Sequence, residues 1–124
     1  MVTPSRRTGP RNEAALRQAL SGVPAAIWDG TGENPYFAYL AHADAILVTP
    51  DSVSMVSEAC ATGKPVFVVG DVPPSGKLRA FHDGLAAGGM TRPFTGRLET
   101  WHYAPLDETA RVAHLVRERL ALIR

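Results

Sequence analysis

Between residues 46 and 70 the chain reads ILVTPDSVSMVSEACATGKPVFVVG: an apolar run, a polar turn, a helical stretch, a glycine and a second apolar run. Parallel α/β sheets bind ligands at the carboxyl ends of their strands, and Thr49, Pro50, Asp51 and Ser52 stand at such an end. Their turn opens into a helix start, where unpaired backbone N–H groups and the helix dipole favour an anion. Ser52 and Ser54 add hydroxyls that can donate to phosphate oxygens. Glu58 follows Ser54 by four residues and shares its helical face; a carboxylate there can accept from both hydroxyls of a ribose. The candidate ligand set is therefore Asp51, Ser52, Ser54 and Glu58, with phosphate at the helix tip and ribose one turn deeper. The same residues also fit a plainer reading, in which Asp51 or Ser52 only caps the helix and Glu58 is a solvated charge.

Other chemistry-bearing residues are weaker candidates. Gly30-x-Gly32 lacks the third glycine of a dinucleotide-binding fingerprint. The run ATGK at residues 61–64 has no upstream P-loop glycine and leads into Pro65. His42, His82, His102 and His114 are scattered, with no spacing that suggests a metal; His82-Asp83 after Phe81 is the pair to watch for a place in a cleft. Cys60, beside Ala59, reads as inert core. Trp28, Trp101 and Tyr103 read as packing residues. A nucleoside-diphosphate-sugar epimerase would need a glycine-rich loop and a Tyr-x-x-x-Lys pair. Four places after Tyr36, Tyr39 and Tyr103 stand Leu40, Ala43 and Asp107.

The elements that must position these residues alternate between strand and helix, which predicts a three-layer, Rossmann-like α/β domain with a mostly parallel sheet. Residues 1–4 read as the end of a strand. Asn12 is expected to cap a helix over 13–21, with Glu13 in its first turn and Leu16, Ala19, Leu20 and Val23 as its buried stripe. A short strand follows at 25–28, then the loop 29–35 and a short helix over 35–42. In that loop Gly30 and Gly32 permit tight turns, and Asn34 can cap the next helix. A buried strand at 43–49 precedes the helix 52–62, which Gly63 closes. The strand 66–70, a loop at 71–76 and a helix over 77–87 come next, with Gly88-Gly89 as the break. The last helix, 106–123, carries Val112, Leu115, Val116, Leu120 and Ile123 on one side.

The bulk numbers exclude several classes. The 124 residues make one domain's worth of chain, 45% hydrophobic and 20% charged, enough for a core without a metal or disulfide staple. With 13 basic and 12 acidic side chains the net charge is +1, which argues against a non-specific nucleic-acid binder. A single cysteine excludes an internal disulfide and argues against a cysteine-based zinc site. No apolar run reaches the roughly 18 residues of a membrane span, and MVTPSRRTGP has no apolar core of a secretory signal. The expected compartment is the cytoplasm.

Residues 49–70 resemble the donor-nucleotide segment in the carboxy-terminal domain of GT-B-type glycosyltransferases, through Ser52, Ser54, Glu58, Gly63 and Pro65. The combination DSVSMVSEA-x-x-TGKPV, with TPSRRTG at residues 3–9, more closely resembles the mitochondrial-fission ELM-type family, of GT-B-like architecture. The resemblance spans most of the chain. It implies that residues 1–124 form the carboxy-terminal domain of a two-domain protein. That domain would bind a nucleoside-diphosphate sugar, with no cofactor or bound metal. It also implies that Ser5, Arg6, Arg7 and Thr8 form a loop at the interdomain cleft. Two guanidiniums and two hydroxyls suit a pyrophosphate there; a basic, mobile terminus accounts for them equally well. The loop 29–36 would lie near the base or sugar of the donor, unless its glycines are only turn punctuation. Acceptor and catalytic base would come from a missing amino-terminal domain, so the isolated chain is expected to be catalytically silent. A non-catalytic interaction module of the same family is the alternative, marked by a large exposed apolar face.

Overall fold

A computed structural model describes residues 1–123, which fall into two compact units, Met1–Ala43 and Asp44 onward. In the first unit the expected strands at 1–4 and 25–28 shrink to a single parallel bridge between Val2 and Ile27. The Val2 amide donates to Ala26 and the Trp28 amide to Val2, at 2.8 and 3.0 Å. Pro4 and Pro24 bracket these segments, and each lacks the N–H that a longer ladder would need. Helix α1 spans Gly9–Ala19. It starts four residues before the expected position, because Pro10 sits where a helix start requires no amide. Asn12 therefore lies inside α1 and caps nothing. Glu13 accepts from Arg17 one turn on, at 2.9 Å, and Arg17 also reaches the Trp28 carbonyl. Leu16 and Leu20 are half-buried, while Ala19 and Val23 are exposed, contrary to the expected stripe. Helix α2, Tyr36–His42, begins where Asn34 Oδ1 accepts the Tyr36 amide at 3.0 Å, as its sequence suggests.

The second unit is a parallel sheet in the order β1 (Ile46–Val48), β2 (Val66–Val68), β3 (Thr91–Pro93). Val66 pairs with Ile46 on one side and Thr91 on the other. The β-branched and aromatic run Val66-Phe67-Val68 suits a central strand covered on both faces, and all three residues are buried. Helix α3 (Val53–Ala61) packs on β1 and α4 (Gly76–Ala87) on β3. Val48, Val56, Ala59, Cys60, Val66 and Leu85 form the core between them. On the other face Phe67 meets Phe94 and Trp101 edge-on, with ring centroids 5.7 and 5.2 Å away. Leu47, expected to be buried, lies 48% exposed on the edge strand.

β3 is absent from the pattern reading. Thr-Arg-Pro has no apolar alternation, and Pro93 is tolerated because it ends an edge strand. Helix α5 (Glu108–Ile123) is started by Asp107, whose Oδ1 accepts the Ala110 amide at 2.9 Å. Its expected stripe does share a face, but no residue of α5 is buried. Val112, Leu115, Val116, Leu120 and Ile123 are 46–81% exposed. Two contacts pin the segment before α5 beneath α3: Tyr103 Oη donates to the Lys64 carbonyl at 2.6 Å, and the Leu106 amide to Cys60 at 3.2 Å.

Gly63 closes α3 with φ +74°, and a Cβ there would meet Pro105 Cγ at 3.0 Å. Gly63→Ala combines left-handed strain with this contact and is expected to cost about 1–3 kcal/mol, read as a lower urea midpoint. Burial pushes the Cys60 thiol up to about 11 from 9.0 and the Tyr103 hydroxyl up to about 12 from 10.0. Both groups are neutral in the fold and ionise first in the unfolded chain. Stability should therefore fall as pH rises from 9.0 toward 11 and beyond. Cys60→Ala should flatten the first part of that fall in denaturation curves taken at successive pH.

Candidate functional site

The turn from β1 to α3 is held by three side-chain hydrogen bonds. Thr49 Oγ1 donates to Asp51 Oδ1 at 2.6 Å. His82 Nε2 meets the Pro50 carbonyl at 2.8 Å across 32 residues of sequence. Ser52, in an extended conformation, caps α3 by accepting the Met55 amide on Oγ at 3.2 Å. The Val56 amide goes to the Ser52 carbonyl. The Val53 and Ser54 amides have no hydrogen-bond partner among the described residues. They stand at the positive end of the helix, and α3 has no acid in its first turn.

The structure brings Asp51, Ser52, Ser54 and Glu58 together on this turn and its helix. Ser54 is exposed in the first turn and Glu58 half-buried one turn on, both within Val53–Ala61. Ser52 is a cap whose hydroxyl still has a proton to donate. Asp51 is exposed, with one oxygen engaged by Thr49; its charge opposes an anion at the same tip.

Ser5, Arg6, Arg7 and Thr8 belong to the first unit. They form a closed turn after the Val2 bridge: the Ser5 amide donates to Thr8 Oγ1 at 3.0 Å, and the Thr8 amide returns to the Ser5 carbonyl at 3.1 Å. Arg6 and Arg7 are exposed at its tip. The loop 29–35 is self-contained. Gly30 and Gly32 have positive φ, Asp29 Oδ1 accepts from both the amide and the hydroxyl of Thr31, and Trp28 Nε1 donates to the Thr31 carbonyl. The Thr31 hydroxyl, then the amide, holds the Asp29 carboxyl below its ordinary range. These contacts account for the glycines as turn formers.

His82 is buried in α4. The signal was present: Leu78, His82 and Leu85 share the helical spacing of an inward stripe. Asp83 instead faces out to Arg79 at 3.0 Å, so the two neighbours do not act as a pair. A groove of about 150 Å³ runs beside them past Gly70, Val72, Thr91 and Arg92. Its cations are engaged, Arg79 with Asp83 and Arg92 with Glu99. Trp101 and Tyr103 pack as expected: the Trp101 indole donates to Gly89 and lies 4.1 Å under Arg92. Among the described residues no three metal-ligating side chains cluster, and no helix is long and apolar enough to cross a membrane.

A polar turn leaving a parallel β-α-β unit at the strand's carboxyl end places the chain among Rossmann-like α/β proteins. It belongs to the mitochondrial fission ELM1 family, whose sequence pattern matches residues 1–120. The chain is 42% identical to mitochondrial fission protein ELM1 of Arabidopsis thaliana over 97% of its own length and 29% of that protein's. It is 37% identical to an uncharacterized protein of Rickettsia prowazekii (strain Madrid E), over 72% of this chain and 26% of the relative. The chain thus spans less than a third of the length of either relative. No solved structure matches it.

Ser52→Ala removes the side-chain N-cap of α3 while leaving its backbone intact. The expected loss is about 1 kcal/mol in chemical denaturation, and Ser52→Gly should lose less.

Proposed function

We propose that this chain is the donor-binding part of a GT-B-type, glycosyltransferase-like protein and holds the diphosphate of a nucleoside-diphosphate sugar at the start of α3. The observation that carries this reading is the pair of unpartnered amides, Val53 and Ser54, beside the Ser54 hydroxyl and one turn from Glu58. Amides and hydroxyl would hold phosphate oxygens, and Glu58 would accept from the ribose hydroxyls. Ser5, Arg6, Arg7 and Thr8 enter through the family resemblance alone, as groups that suit a pyrophosphate. The acceptor and any catalytic base come from outside these 124 residues, from an amino-terminal domain. The reading needs no metal or cofactor and takes the cytoplasm as its compartment.

A second reading rests on a different observation. The exposed apolar stripe of α5 fits an interaction module that kept the fold without transfer chemistry. The name of the Arabidopsis relative, a mitochondrial fission protein, is compatible with such a role.

Titration calorimetry with uridine and guanosine diphosphates and their nucleosides separates the two. Under the donor reading one diphosphate binds. Glu58→Ala then weakens nucleoside and diphosphate alike by about 1–3 kcal/mol, with little change in stability. Ser54→Ala, which keeps the backbone amides, weakens the diphosphate and spares the nucleoside. A wild type that binds neither nucleotide ends the donor reading and leaves the interaction module. Loss of folding in Glu58→Ala without loss of affinity would make Glu58 a structural residue.

A further inference from the structure

We infer that His82 is the positioning residue of the candidate phosphate turn: it holds the Pro50 carbonyl inward so that the amides at the start of α3 face outward. This rests on the donor-site reading for its purpose but not for its geometry. The Pro50 oxygen can only accept, so His82 Nε2 carries the proton in their 2.8 Å contact. All described peptide bonds are trans, and in a trans peptide the carbonyl and the following N–H point in opposite directions. Turning the Pro50 carbonyl toward α4 therefore turns the Asp51 N–H away from it. The chain then enters the extended Ser52 cap and exposes the Val53 and Ser54 amides.

Packing alone does not explain a histidine at this position. The residue is 5% exposed, on a stripe whose other members, Leu78 and Leu85, are apolar. Its Nδ1 is buried with no partner. A leucine would fill the stripe without burying an unpaired nitrogen, which carries a desolvation cost. What the imidazole adds is one directed hydrogen bond, from the middle of α4 to the turn that begins α3. Asp83 and Arg79 pair with each other on the exposed side of α4 and do not replace that bond.

The test compares the 124-residue wild type with His82→Leu and His82→Gln; the glutamine amide can place a donor near the former Nε2. Amide hydrogen exchange is followed at residues 51–56, and affinities for uridine and guanosine diphosphates and their nucleosides are measured in parallel. His82→Leu should raise exchange at Met55 and Val56 about tenfold and weaken diphosphate binding about tenfold, sparing the nucleoside. His82→Gln should restore both. The proposal is overturned if His82→Leu leaves exchange and affinity at wild-type values, or if the glutamine fares no better than the leucine. A wild type that binds no nucleotide ends the donor reading, and the exchange data then decide the role of His82 alone. Should His82→Leu fail to fold, the imidazole ¹⁵N shifts of the wild type decide. A proton on Nε2 supports the anchor, and one on Nδ1 with Nε2 bare refutes it.

Discussion

A three-residue parallel strand makes too few hydrogen bonds to hold itself in place, and β2 persists because both of its faces are covered. Val66 faces the core of α3 and α4, and Phe67 faces Phe94 and Trp101. Burying each such side chain contributes about 1.5–3 kcal/mol, against a net of about 1 kcal/mol for an ordinary hydrogen bond. The sheet is therefore organised by side-chain burial on its middle strand. β1 and β3 take their register from β2. The turn after β1 and the groove beside β3 inherit their positions from it. The positions of Ser54, Glu58 and His82 depend in turn on that burial.

What was legible in the residues was local. Ser52 before an apolar helix and Gly63 after it are chemical stops, and both act as such. The Val-Phe-Val run specified a buried strand by composition. At the start of α1 two helix-start signals compete, and Pro10, which fixes its own φ, outweighs the weaker cap Asn12. β3 was invisible because an edge strand of Thr-Arg-Pro is defined by its neighbour and not by its own pattern. In α5 the period of apolar residues correctly told which side chains share a face. Periodicity carries no information about what covers that face, and here no residue of it is buried.

The candidate site divides along the same line. The i, i+4 relation of Ser54 and Glu58 is a property of any helix and survived unchanged. The division of labour within the turn is set by its three-dimensional geometry: Asp51 with Thr49, Ser52 with Met55, Pro50 with His82. The last of these joins residues 32 apart, a distance at which spacing rules say nothing. It also ties α4 to the turn that begins α3 by a polar bond as well as by apolar packing.

The two tryptophans fall one to each unit, and their surroundings make them unlike reporters. Trp28 lies half-buried in the first unit, its indole bonded to a loop carbonyl. Trp101 meets Phe67 of the central strand edge-on in the second and lies under the Arg92 guanidinium. Its emission is thus coupled to the packing on β2. Single-tryptophan versions of the chain would carry a separate optical signal for each unit, so that spectroscopy alone can tell whether the two melt together or in sequence.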